Sequence, residues 1–265
     1  MKYDGLLIAS DLDGTFLGEK SETLKINLEA IEHFKSNGGL FTFSTGRNEP
    51  ALFRLVPGAD SIVNAPAILT NGSYITNLST GEKFYETFLD PEPTRKLLKL
   101  IKTEFPEIGA RISVGDLFVV PYMTPKLLRE LTRYLDITVE RDIDEIDGAH
   151  WNKIVVSGTA DEIQSLIGWF SDRDSSGFAL SYSCPVLFEI LDKNATKGKM
   201  LRNLKKFYGG VTTVAVGDYN NDLDMLRAAD IAACPDNALD EIKAVSKYHL
   251  CHHRDGAIAD LISKL

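Results

Sequence analysis

Residues 5 to 10, Gly-Leu-Leu-Ile-Ala-Ser, form an unbroken apolar run that stops at Asp11. The run is too short for a helix and lacks the alternation of a half-wet strand, so it reads as a strand buried on both faces. Such a strand needs neighbours on either side and layers above and below, which points to an α/β architecture. The next segments have the matching order. From about Thr23 a helical stripe of Leu24, Leu28, Ile31 and Phe34 runs up to Gly38-Gly39, which supplies a left-handed stop. Residues 40–44 make a second strand leading into Thr45-Gly46-Arg47, and residues 67–70 a third that ends at Asn71-Gly72. This β-α-β alternation predicts a parallel sheet with helices packed on it.

The end of the chain has the same style. An amphipathic helix is predicted over 196–208, a buried strand over 213–216 ending at Gly217-Asp218, a helix over 221–229 and a strand over 231–234. In both halves polar residues sit just past the C-terminal ends of apolar strands, the edge where open α/β sheets bind ligands. The middle differs. Helices are predicted over 92–104, 125–135 and 160–172, with alternating strands at 111–114, 154–157 and 178–181, as for a sheet with one wet face. The expected fold is therefore α/β: a doubly wound, mostly parallel, Rossmann-like sheet built from residues 1–83 and 188–265. An α+β module, residues 84–187, is inserted into it. A chain of 265 residues buries enough surface to hold both without disulfides or a structural metal.

Two stretches carry candidate chemistry. Asp11-Leu12-Asp13-Gly14-Thr15 puts two carboxylates into one turn at the end of a buried strand. Like charges that close are unfavourable unless a cation or a proton separates their roles, although Asp-Gly also marks ordinary turns. Gly217-Asp218-Tyr219-Asn220-Asn221-Asp222 repeats the situation after the strand at 213–216; alone, it reads equally as acids at a helix N-terminus. Together, the two acid pairs form a candidate site for a hard cation such as Mg²⁺. Ser44-Thr45-Gly46-Arg47 offers a hydroxyl and backbone N–H groups suited to phosphate oxygens. Lys197 opens a helix and can supply a fixed positive charge.

Composition removes other classes. With 29 Lys+Arg against 38 Asp+Glu, the formal net charge is −9, which argues against nucleic acid or an anionic membrane as partner. Cys184, Cys234 and Cys251 are odd in number and far apart, consistent with reduced thiols. Leu6-Leu7-Ile8-Ala9 is too short for a signal-peptide core or a membrane span, so a cytoplasmic location is expected. The consecutive Cys251-His252-His253 cannot all face one ion from regular structure, and the acidic run 140–147 lacks the order of a calcium loop.

Taken as a set, Asp-Leu-Asp-Gly-Thr at 11–15, Ser-Thr-Gly-Arg at 44–47, Asn71-Gly72, Lys197-Gly198 and Gly-Asp-x-x-Asn-Asp at 217–222 resemble the haloacid dehalogenase (HAD) superfamily. The closest likeness is to its Cof-type group, in which a large α/β cap is inserted before the lysine motif. The resemblance spans residue 6 to about 260 and implies a Mg²⁺-dependent phosphatase of small phosphorylated metabolites, sugar phosphates first. It implies Asp11 as nucleophile, forming an aspartyl-phosphate, with Asp13 as general acid and base. Lys197 is implied as the catalytic cation. Mg²⁺ would be held by Asp11, the Asp13 carbonyl and Asp218, with Asp222 near it. Phosphate would meet Thr45, Lys197, Asn221 and the amides around Leu12 and Gly46, while Arg47 and Asn71 would face substrate. The sequence departs from the family pattern at Asn48-Glu49-Pro50, and in Cys234-Pro235-Asp236-Asn237-Ala238, where Cys-Pro-Asp stands before Asn-Ala in place of a small-residue and Gly pattern. The rival readings are a phosphosugar mutase on the same fold and a non-catalytic metabolite-binding regulator; a monomer or small homo-oligomer is expected.

Overall fold

In the computed structural model, which describes residues 1–18 and 21–265, the N-terminal apolar run is strand β1 (Leu6–Ser10). Its Leu7, Ile8 and Ala9 are fully buried. In chain order there follow α1 (Ser21–Ser36), β2 (Leu40–Phe43), α2 (Glu49–Leu55), α3 (Ala59–Ile62), β3 (Ala67–Leu69), β4 (Tyr74–Thr76) and β5 (Lys83–Glu86). The middle of the chain forms α4 (Pro91–Glu104), β6 (Gly109–Val114), β7 (Leu117–Tyr122), α5 (Pro125–Leu131), β8 (Thr138–Glu140), β9 (Trp151–Ser157), α6 (Ala160–Ser171), β10 (Phe178–Cys184) and β11 (Leu187–Asp192). The last part is α7 (Lys197–Phe207), β12 (Thr212–Val216), α8 (Leu223–Ala228), β13 (Ile231–Cys234), α9 (Asp240–Val245), β14 (Tyr248–His249) and α10 (Ala257–Lys264).

The chain divides into two units, Met1–Glu86 with Thr196–Leu265, and Thr87–Ala195. In the first, a parallel sheet has the order β14-β13-β12-β1-β2. One face packs Ile8, Phe41, Phe43 and Val214 with Ile31 and Phe34 of α1 and Ile258 and Leu261 of α10. The other packs Leu7, Ala9 and Ala215 with Met200, Leu201 and Leu204 of α7 and Met225 and Leu226 of α8. Each side chain of that size contributes roughly 1.5–3 kcal/mol on burial, and β1, like β12, is covered on both faces and paired on both edges. Ser10 is in register with Val216, so Asp11 and Gly217-Asp218 leave the sheet side by side.

Three expectations are corrected. Residues 67–69 do not extend the parallel sheet as a full strand: β3 pairs antiparallel with β4, which pairs with β5. One parallel bridge, Ser44 to Ile68, joins β3 to the end of β2. The insertion also differs at its edges from residues 84–187. Strand β11 was assigned by those bounds to the core, but it pairs with β9 and β10 inside the second unit. Finally, the region expected as one helix at 221–229 starts with a tighter turn, Asn220–Asp222, before α8.

The second unit is α+β. Its sheet, β10-β11-β9-β6-β7-β8, is antiparallel except for the β7–β8 pair. Leu98 and Ile101 of α4 and Ile163, Leu166 and Phe170 of α6 share one apolar cluster with Ile112, Ile154, Val156 and Ile190 of the sheet. The strands were expected to be wet on the other face, yet every residue of β9 is buried. The polar position Lys153 is accommodated there by an ion pair with Glu189, at 2.9 Å.

A buried ion pair that loses one partner leaves an uncompensated charge, costing about 3–5 kcal/mol, whereas removing both is far cheaper. Glu189→Leu should therefore lower the urea midpoint strongly, and Lys153→Met in the same chain should recover most of the loss. Equal stability of the single and double variants would contradict this.

Candidate active site

Helix α7 begins at Lys197, and its first turn is fixed before the side chain is considered. Thr196 caps it by accepting from Lys199 N–H at 3.1 Å. Asp224 Oδ2 accepts from Gly198 N–H at 3.0 Å. Gly72, at φ 94°, lies so close to Thr196 that a Cβ there would stand 2.4 Å from its carbonyl. The Lys197 side chain is fully buried, and its Nζ donates to Asp11 Oδ1 at 2.6 Å and Asp222 Oδ1 at 2.7 Å. Burial opposes its charge, but the two carboxylates outweigh burial and hold its pKa well above the usual lysine value.

Asp222 uses its second oxygen as well. Oδ2 accepts from the backbone N–H groups of Asp218 and Tyr219, at 3.0 and 3.3 Å, which closes the loop after β12. Asp218 in turn accepts from Thr15 Oγ1 at 2.9 Å. One oxygen from each of Asp11, Asp218 and Asp222 lies within 4.8 Å of the others. Burial, followed by the charge of Asp222, raises the pKa of Asp11 and pushes that of Asp218 up to about 7. Three crowded carboxylates share one buried ammonium, so negative charge is in excess. An all-oxygen site short of positive charge fits a divalent cation.

The remaining motif residues lie along the same edge. Asp13 is exposed and takes both Arg47 Nε and Nη2, at 2.8 and 2.9 Å. Arg47 was expected at the substrate; here its guanidinium forks onto the second carboxylate of the first motif. Thr45 is buried, its Oγ1 accepts from Arg47 N–H at 3.3 Å, and its carbonyl accepts from Asn71 N–H at 2.9 Å. Asn71 Oδ1 accepts from Asn221 Nδ2 at 3.4 Å, and Gly46 packs against the same amide. Thr45, Gly46, Asn71 and Asn221 are thus one contact chain. The Leu12 side chain belongs to the core, leaving only its backbone to serve a ligand. Thr70 and Asn71 both have positive φ, 52° and 54°, strain of roughly 1–3 kcal/mol each, of the kind that collects at functional sites.

Three contributors carried no role in the sequence reading. Thr15 lay within the first motif, Asp224 two residues beyond the last, and Asn237, which donates to the Gly14 carbonyl at 2.9 Å, just after a departure from the family pattern. Their signal is proximity to motifs, because none has a chemistry of its own that spacing could reveal.

Asp218 yields a pH prediction. Its folded-state pKa, pushed up to about 7 chiefly by burial, lies well above the usual carboxylate value, so the folded chain holds the proton more tightly. Its stabilising contribution is full below the unfolded pKa and is lost as pH rises to about 7. Metal-free wild type should therefore lose stability between pH 4 and pH 8 relative to Asp218→Asn, measured by urea midpoints (about pH 4 to 8). Parallel profiles would contradict the assignment.

Comparison with known proteins gives this geometry its relatives. A 5-amino-6-(5-phospho-D-ribitylamino)uracil phosphatase of Bacillus subtilis, YwtE, is 27% identical over 97% of each chain. A pyridoxal phosphate phosphatase of Escherichia coli, YbhA, is 25% identical, again over 97% of both. Among solved structures, the HAD subclass IIB sugar phosphatase BT4131 superposes with a TM-score of 0.80 at 19% identity, over 97% of this chain and 98% of that one. Residues 8–262 match the haloacid dehalogenase-like hydrolase family. With its motifs gathered at one sheet edge and that match over nearly its whole length, the chain belongs to the haloacid dehalogenase-like hydrolases.

Proposed function

We propose that the chain is a Mg²⁺-dependent phosphatase of small phosphorylated metabolites, sugar phosphates first, acting in the cytoplasm through an aspartyl-phosphate on Asp11. The observation that carries this reading is the buried Lys197 ammonium, 2.6 Å from Asp11, in a cluster that still has surplus negative charge. A binding module has no reason to bear the cost of burying two carboxylates and an ammonium beside a third, half-buried carboxylate. The relatives named for phosphatases of a phosphoribityl compound and of pyridoxal phosphate support the substrate class.

The residues divide the work as follows. Asp11 attacks phosphorus, forming its own O–P bond while the ester O–P bond breaks. Asp13 gives its proton to the leaving alcohol, then takes one from the water that cleaves the acyl phosphate and restores Asp11. For either transfer Asp13 has to part from Arg47, and an arriving phosphate is an alternative partner for that guanidinium. Thr45, Gly46 and Asn221 orient phosphate oxygens. A carboxylate and a phosphate dianion about 4 Å apart repel by roughly 8 kcal/mol at an effective dielectric of about 20. Lys197 offsets part of that repulsion. Held by Asp11, Asp218 and the Asp13 carbonyl, with Asp222 beside it, Mg²⁺ when bound supplies the remaining positive charge.

Phosphate release from a panel of esters, with and without Mg²⁺, tests the reading. Asp11→Asn should lose activity by at least about 10³-fold, and Lys197→Met nearly as much as removal of Mg²⁺. Turnover surviving in Asp11→Asn removes the covalent route. Interconversion of sugar phosphate isomers with little free phosphate would make the chain a mutase, and activity on no ester would favour a binding role.

A further inference from the structure

The turn after Asp11 has backbone angles of −82°, 121° at Asp13 and 77°, 2° at Gly14, the values of a type II turn that needs glycine at its second corner. A Cβ on Gly14 would stand 2.4 Å from Asp218 Oδ2, so the turn's backbone rests directly on that carboxylate. The next residue, Thr15, donates to the other oxygen, Asp218 Oδ1. The orientation of Asp218 therefore depends on where this turn is held.

The hold comes from the far end of the chain. Asn237 Nδ2 donates to the Gly14 carbonyl at 2.9 Å, and Asn237 Oδ1 accepts from His253 N–H at 3.1 Å. The ring of His253 completes the grip, with Nδ1 donating to the Leu17 carbonyl at 2.7 Å, since a carbonyl can only accept. The same loop holds the Asp218 main chain, because Leu239 N–H donates to the Asp218 carbonyl at 3.1 Å. One loop thus fixes Asp218 twice, by its backbone directly and by its side chain through Gly14 and Thr15.

We propose that Asn237 is a positioning residue for the Asp218 carboxylate as a metal ligand, acting through the Gly14–Thr15 turn, with His253 as its anchor. The inference rests on the reading above that Asp218 binds Mg²⁺. It gives Asn237, which follows the departure at Cys234–Asp236, a mechanical task. It also gives His253 a role in bracing the turn. Partners that orient a metal ligand in this way typically change metal affinity by about 10- to 100-fold when removed.

The test is calorimetric titration of the metal-free full chain with MgCl₂. Asn237→Ala, and Asn237→Asp, which sets an acceptor against a carbonyl, should each weaken Mg²⁺ binding by about 10-fold or more. Thr15→Val should do the same. Asn237→Ala combined with Thr15→Val should weaken binding by less than the product of the two single effects, because both act on Asp218 through the one Gly14–Thr15 turn. A purely structural role for Asn237 would lower the metal-free melting temperature and leave Mg²⁺ affinity untouched. Wild-type affinity in both Asn237 variants, or full additivity with Thr15→Val, overturns this inference alone. A wild-type chain that binds no Mg²⁺ overturns it together with the reading on which it rests.

Discussion

The ammonium of Lys197 sits where two physical effects oppose it: inside the protein, and at the positive end of a helix. Only carboxylates in direct contact can keep it charged there, and Asp11 and Asp222 supply them from two different strand ends. That requirement explains the architecture around it. Strands β1 and β12 must be neighbours in register, so that one delivers Asp11 and the other the loop to Asp222. Helix α7 must start at a fixed place, which Gly72, Thr196 and Asp224 provide.

The second unit holds a lysine of similar burial with a different outcome. Lys153 and Glu189 form an ion pair at 2.9 Å in the middle of a sheet. Around Lys197 the ratio is three carboxylates to one ammonium. Lysine and acid thus give a buried ion pair in one unit and, in the other, a cluster in which three carboxylates crowd around one ammonium. The two differ in stoichiometry rather than in depth.

The placement of Asp11, Thr45 and Asp218 at one edge was legible in the sequence because each directly follows an apolar strand, and parallel strands place such ends together. Lys197 opens a helix instead, and only the family resemblance singled it out. Pairing direction was not legible. Ala67–Leu69 reads as a buried strand whether its neighbour runs parallel or antiparallel, and the antiparallel turn to Tyr74 decided it. The limit of the insertion was misplaced for a related reason. Leu187–Asp192 is apolar enough to suit either sheet, and Glu189 within it is tolerated only because Lys153 lies two strand positions away in space and 36 residues away in sequence. Asn237 was invisible as a functional residue since its effect passes through the backbone of Gly14.

The adjacency of β1 and β12 also sets an order of events at the ribosome. Strand β1 emerges first, and β2 follows soon enough to cover one edge. Its other edge must wait for residues 212–216, after the whole of Thr87–Ala195 has been made. The insertion carries its own apolar cluster and is contiguous, so it can complete its packing while β1 is still half paired. Asp11 thus precedes the insertion in the chain, and Lys197, which holds it, follows the insertion. Until Lys197 and residues 212–216 have been added, the buried cluster around Asp11 cannot form.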